Sequence, residues 1–340
     1  MKETNRIVIP IKGNKKWGWP PRSLHWHKDE LIDWVGGIVR YQLDKTIIPP
    51  RVGFAFSFDY AEVSPNGDYV ALIQRLGTKG VILKQGQLIR EINRSYYYAE
   101  HYEYPLVFCN LPDGRTGLIH CPDEYCKLEI EDAETGERLT QRSTKPADFF
   151  HSRLSVSANN RYLLSAGWIW HPFEDLYLYE IERVLAQPSL LDAGEIRLSR
   201  WGVTIPTGFL TQDNCIILAT ADDYYDPADV DADNELRLPP NMLAKYSIPD
   251  SRFLSQVPTQ EPVGILLPID DQYVLSCYKH IKLIDVSTGQ IAARWEELKT
   301  SQQTSCIVGQ DDLLPPIAID RVNKRFAIAS HEEITIIELG

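Results

Sequence analysis

Asp229, Asp231 and Asp233 stand at every second position of "DDYYDPADVDADNE" (222–235), a spacing that converges carboxylate oxygens as a calcium loop does. Asn234 occupies the place where such a loop prefers Gly, and Pro240 the place of its closing bidentate Glu. The run therefore reads first as a solvated acidic loop and second as a calcium site. His25 and His27 in "LHWHKDE" share one face of a strand, as two zinc ligands do, but two ligands do not complete a site. Cys121 and Cys126 in "CPDEYC" have a separation open to a metal or redox pair. Without a matching second pair they read as packed thiols. The chain has no Gly-x-Ser-x-Gly elbow, no His-Glu-x-x-His and no phosphate-cradling Gly-rich loop.

The elements that would carry these residues are visible as repeats. "KLEIEDAETGE" (127–137) returns as "HIKLIDVSTGQ" (280–290), with Asp132 and Asp285 153 residues apart. "EVSPNGDYVALI" (62–73) returns as "SVSANNRYLLSA" (155–166), with Ser64 and Ser157 93 residues apart. Taken as three periods and two, these give a repeat of 46.5 to 51 residues, a little above the roughly 40–45 of compact propeller repeats. Each repeat reads as one four-stranded antiparallel blade, with Asp opening the last turn and Gly supplying its positive φ. The predicted architecture is a single all-β domain over 1–340, a closed β-propeller of seven blades at 22–51, 52–94, 104–143, 149–193, 202–257, 261–298 and 312–340. The last tile shows three strands, and "RIVIPI" (6–11) is expected to supply its fourth and close the ring. "YLYEIERVLAQPSLLD" reads as a helical insertion near the end of the fourth blade.

With "SPNGDYVAL", "SANNRYLLS", "CKLEIEDAETGERLT" and "HIKLIDVSTGQ" in view, the chain resembles the WD-repeat-like β-propellers. Their blades carry a Ser-Pro-Asp/Asn-Gly turn between the first two strands and an Asp-x-x-Thr-Gly turn before the last. The resemblance is one of scaffold and implies no ligand. The Trp-Asp dipeptide of the family is replaced by Ile284-Asp285 and Glu131-Asp132, and Gly-His pairs are missing. The family's buried His–Ser–Asp network is therefore not carried over. The Ser-x-Asp-x-Gly-x-Thr-Trp boxes of sialidase-like propellers are absent as well.

In such a ring, the loops joining second to third strands and those joining one blade to the next emerge on one face. That places "RSYYYAEHYEYP" (94–105), "GWIWHPFED" (167–175), "CPDEYC" and 222–235 together. Tyr96, Tyr97, Tyr98, Tyr102, Tyr104, Trp168 and Trp170 are expected there among Glu100, Glu103, Glu174, Asp175 and Asp226. Aromatic anchors in a polar, acidic surround are the composition of a recognition surface. For any single ring the competing expectation is packing between blades.

Thirty-five Lys and Arg against 47 Asp and Glu give a net charge of −12, which opposes nucleic acid and acidic membrane surfaces as partners. No apolar run approaches the roughly 18 residues of a membrane span, and the first residues do not form a secretory signal, so a cytoplasmic protein with six reduced thiols is expected. The leading expectation is a non-catalytic adaptor that binds a basic segment of another protein and needs no cofactor. Its setting would be a bacterial multi-protein system such as defence, which no residue demands. The alternative is a calcium-assisted hydrolase of the lactonase kind at the channel mouth, motivated by Asp229, Asp231, Asp233 and the nearby histidines.

Overall fold

The computed structural model describes residues 1–11, 20–169, 173–194, 196–197, 207–212, 214–221, 238–309 and 312–340. Within them lie seven antiparallel sheets, six built from consecutive strands and the seventh from both ends of the chain. Blade 1 comprises His25–His27, Glu30–Asp33, Val39–Gln42 and Ile47–Ile48; blade 2 comprises Tyr60–Val63, Tyr69–Ile73, Lys79–Lys84 and Gln87–Asn93. Blade 3 comprises Leu106–Asn110, Thr116–His120 and Glu129–Asp132, and the bridge between Glu131 and Arg138 stands where its fourth strand belongs. Blade 4 comprises Phe150–Val156, Tyr162–Ile169, Phe173–Glu180 and Ile196–Arg197; blade 5 comprises Thr207–Leu210, Cys215–Ala219, Met242–Ser247 and Arg252–Pro258. Blade 6 comprises Ile265–Pro268, Tyr273–Tyr278, His280–Asp285 and Ile291–Lys299. Blade 7 takes Ile317–Asp320, Arg325–Ala329 and Glu333–Leu339 from the end of the chain and Glu3–Pro10 from its beginning.

That last pairing closes the ring as expected, with Ile9 opposite Ile334 and Ile7 opposite Ile336. The fourth strand of blade 4 falls beyond the 149–193 tile because helix Ile181–Ala186 and the 3-10 turn Pro188–Asp192 are inserted before it. This is the segment read as helical from sequence.

Seven apolar clusters fill the seven gaps between neighbouring blades. Strand alternation produces them: in blade 4, Leu163 points to blade 3 and Leu164 to blade 5. In blade 5, Ile216 and Leu218 point back to blade 4, while Ile217 and Ala219 point on to blade 6. A middle strand is therefore apolar on both faces, and Tyr69–Ile73, Cys215–Ala219 and Arg325–Ala329 are buried throughout. Outer strands keep the polar alternation, as in Arg252–Pro258.

The repeated phrases do the same mechanical work in each copy. Ser64 Oγ accepts from Tyr69 N at 2.9 Å, and Ser157 Oγ from Tyr162 N at 2.9 Å. Asp285 Oδ1 accepts from Ser287 N at 2.8 Å, and Gly289 follows at φ 70°. Asp132 Oδ1 accepts from Glu134 N (3.0 Å), Thr135 N (2.8 Å) and Thr135 Oγ1 (3.0 Å), while Oδ2 takes Arg115 at 2.7 Å. Asp132→Ala removes the buried acceptor of these part-buried hydrogen bonds and is expected to cost about 1–2 kcal/mol. A urea denaturation midpoint unchanged from wild type would show that the turn holds without its carboxylate.

Candidate functional site

The loop between blades 2 and 3 is fixed from beneath by one side chain. Arg94 donates from Nε to Gly77 O (2.7 Å) and from Nη2 to Ala99 O (2.8 Å) and Tyr102 O (3.0 Å). Its guanidinium lies 4.4 Å from the Tyr102 ring centroid and 5.0 Å from that of Tyr104. Burial holds the Arg94 pKa below its ordinary value, since carbonyls and ring faces replace water around the charge. Held this way, the loop turns outward at Tyr98, whose φ of 52° starts the short 3-10 turn Ala99–His101.

Above this anchor, aromatic rings form a cluster around Phe150 that reaches from the core to the surface. Trp168 stacks on Phe150 at 3.9 Å and 7°, Phe150 on Tyr125 at 4.1 Å and 26°, and Tyr125 on Tyr97 at 5.0 Å and 32°. Tyr98 stands edge-on to Tyr97 at 4.8 Å, and Tyr97 and Tyr98 lie 5.9 and 6.3 Å from Phe150. Exposure rises outward: Phe150 is 0% and Trp168 4% exposed, whereas Tyr97 is 39% and Tyr98 44%, with Tyr96 beyond them at 84%. The Tyr125 hydroxyl donates to Asp148, and Asp148, Glu100 and Glu124 are exposed around the rings.

The connection between blades 6 and 7 crosses the same face as a strap. It makes a bridge from Ile307 to Tyr102, and Val308 N donates to His101 O at 2.8 Å. On the blade 4 side, Arg153 Nη2 donates to Ser305 O (2.8 Å), while Glu174 Oε1 accepts from Cys306 N (2.9 Å) and from the Ser305 hydroxyl. Burial raises Glu174 to about 7, against the hydrogen bonds from Ser305 and Cys306 and the charge of Arg153. Further on, Leu314 O accepts from both terminal nitrogens of Arg75 at 3.2 Å.

Two of the four stretches predicted to share a face, 94–105 and Cys121–Cys126, meet through Tyr97 and Tyr125, while 222–235 lies outside the described residues. The individual residues divide. Tyr96, Tyr97 and Tyr98 are exposed. Tyr102, Tyr104, Trp168, Glu174 and Asp175 are buried, which corrects the expectation that they line an open surface. Tyr102 and Trp168 belong to the buried cluster around Phe150, Tyr104 to the packing between blades 2 and 3, and Glu174 lies in blade 4 beneath the strap. Asp175 lies in a strand, with Oδ1 accepting from Leu176 N at 2.8 Å. Trp170, Asp226, Asp229, Asp231 and Asp233 lie outside the described residues.

Sequence reasoning missed Phe150, Tyr125 and the strap. Phe149-Phe150 looks like ordinary core, and Tyr125 was read only as part of the cysteine segment. A signal for the strap was present in the length of chain between the sixth and seventh tiles.

The other chemical candidates resolve toward packing. All six cysteines are buried thiols. Burial pushes Cys126 up to about 11, with Glu124 adding to it, and Cys121 well above its ordinary value. His27 is exposed, and His25 lines the central channel. His151 Nδ1 lies 3.0 Å from Ser165 Oγ, but both residues are sealed from solvent. Among the described residues no three His, Cys, Asp or Glu side chains are grouped to hold a metal ion, and no helix is long and apolar enough to cross a membrane. The chain matches no model of a known protein family and no curated protein.

Proposed function

We propose that the chain is a protein-interaction scaffold whose working face is the end of the aromatic stack, taking a basic segment of a partner protein across Tyr96, Tyr97 and Tyr98. The observation that carries this reading is the gradient of exposure along the stack. Phe150 and Trp168 hold the inner rings rigid, so the outer tyrosines present apolar area at little cost in side-chain entropy. Asp148, Glu100 and Glu124 surround them with negative charge, in keeping with the overall −12, and favour Lys or Arg in the occupant. The Ser64, Ser157, Asp132 and Asp285 turns support placing the scaffold among WD-repeat-like propellers.

The test is affinity capture by the wild-type chain and by a Tyr97→Ala, Tyr98→Ala variant with an unchanged melting temperature. A genuine partner is expected to bind the purified wild type through a Lys- or Arg-bearing segment, more weakly as salt rises. The variant should lose about 30-fold in affinity, the scale of a hot-spot pair. A partner that binds both forms equally would place its site elsewhere.

A further inference from the structure

The first strands of the blades enclose a central channel that contains a cavity of about 400 Å³, within the usual range for small-ligand sites. The strap residues Leu314–Pro316 form part of its wall toward the aromatic face. Much of the lining is apolar, including Leu154, Val156, Phe209, Leu266 and Ile317.

The charged groups in the lining are mostly compensated. Arg153 pairs with Glu103 at 3.2 Å, Arg321 with Asp271 at 3.1 Å, and the Arg75 charge stands against Asp59. Arg22, at the rim, donates to the carbonyls of Val35 (2.9 Å) and Phe58 (3.3 Å). Glu62 is the exception. Its Oε2 accepts from the Tyr60 hydroxyl at 2.9 Å, and among the described residues no Lys, Arg or His forms an ion pair with it. Glu62 is deep in the protein yet keeps accessible surface, as expected for a residue that lines the cavity.

We propose that the channel is a binding site for a small organic cation of the alkylammonium type, with its charged head on Glu62 and its hydrocarbon body against the apolar wall. A carboxylate ligand in the same place would set its charge against Glu62, because the lining arginines are already engaged by Glu103, Asp271, Asp59 and backbone carbonyls. A bare divalent cation would find one carboxylate where it needs several oxygen ligands. Burial raises Glu62 to about 7, so near neutrality the site is partly occupied by a proton in the place the ammonium would take. This inference is independent of the aromatic face.

The experiment is calorimetric titration of the full chain at pH 7 with hexylammonium chloride, sodium hexanoate and hexanol, in two buffers of different ionisation enthalpy. The expected result is saturable one-to-one binding of hexylammonium, at least about tenfold tighter than either isostere, with a fraction of a proton released per ligand. Glu62→Gln should weaken hexylammonium at least about tenfold and abolish the proton release, while Tyr97→Ala, Tyr98→Ala should leave both unchanged. Should Glu62→Gln not fold, Tyr60→Phe carries the test. It removes the hydrogen bond that favours the ionised carboxylate, so proton release per ligand must rise. Hexanoate binding as tightly as hexylammonium, no saturable hexylammonium binding, or unchanged behaviour in the Glu62 or Tyr60 variant would overturn the proposal.

Discussion

Phe150→Ala is expected to lower the free energy of unfolding by about 3–5 kcal/mol, the cost of removing a fully buried aromatic ring whose site cannot collapse. Phe150 is 0% exposed, stacked between Trp168 and Tyr125 and edge-on to Tyr102 at 5.5 Å. Its backbone has little room to close the gap. A Cβ added to Gly167 of the neighbouring strand, which pairs with His151, would lie 2.1 Å from Phe150 O, so the two strands are already at their limit of approach. By contrast, Tyr98→Ala removes a half-exposed ring at the outer edge of the cluster and is expected to cost no more than about 0.5 kcal/mol. Urea denaturation followed by tryptophan fluorescence separates the two. A Phe150→Ala cost below about 1 kcal/mol would mean that the stack is held by its loops rather than by its rings. If the rings hold it, the same variant should also lose the partner, although Phe150 itself never reaches the surface.

The scaffold was legible in the sequence because a blade needs the same local devices wherever it occurs. The Asp-x-x-Thr-Gly and Ser-led turns are written in side chains that bond their own backbone, so their repetition marks strand ends directly. Ring closure was legible for a related reason: Ile317–Leu339 offers one strand too few, and "RIVIPI" is an unclaimed apolar strand. The boundary of blade 4 was not legible. Its last strand is only Ile196–Arg197, too short to show a period after a helical insertion.

The face was legible at the level of loops and misleading at the level of residues. Topology alone brings Arg94–Pro105 and the Cys121–Cys126 segment to one end of the disc. Which tyrosines turn inward depends on Arg94, whose guanidinium takes the faces of Tyr102 and Tyr104 and leaves Tyr96, Tyr97 and Tyr98 outside. Composition cannot announce that choice, since all five rings are the same residue type in one 9-residue stretch. The burial of Glu174 was equally hidden. It comes from a strap that begins more than 120 residues later in the chain and lays Ser305 and Cys306 on the carboxylate.

That strap makes stability depend on pH in a direction opposite to the usual carboxylate. Glu174 ordinarily titrates near 4.5, and burial raises it to about 7. Between those values the folded chain holds a proton that the unfolded chain has released, so the stability Glu174 contributes falls as pH rises through the window. From pH 4 to pH 8, the difference in unfolding free energy between Glu174→Gln and wild type is expected to move by about 3 kcal/mol in favour of the variant. Comparing that difference at the two pH values removes whatever constant penalty the amide carries against Cys306 N and Ser305. His151 works from the other side. Burial lowers it from 6.5 to about 3, so its contribution is complete above 6.5 and is lost as pH falls toward 3. Urea melts at pH 4, 6 and 8 give the required values. If wild type and Glu174→Gln ran parallel across that range, the carboxyl would have to be solvated in the folded state. The strap could not then be lying over it, and the wall of the channel at Leu314 would lose its support.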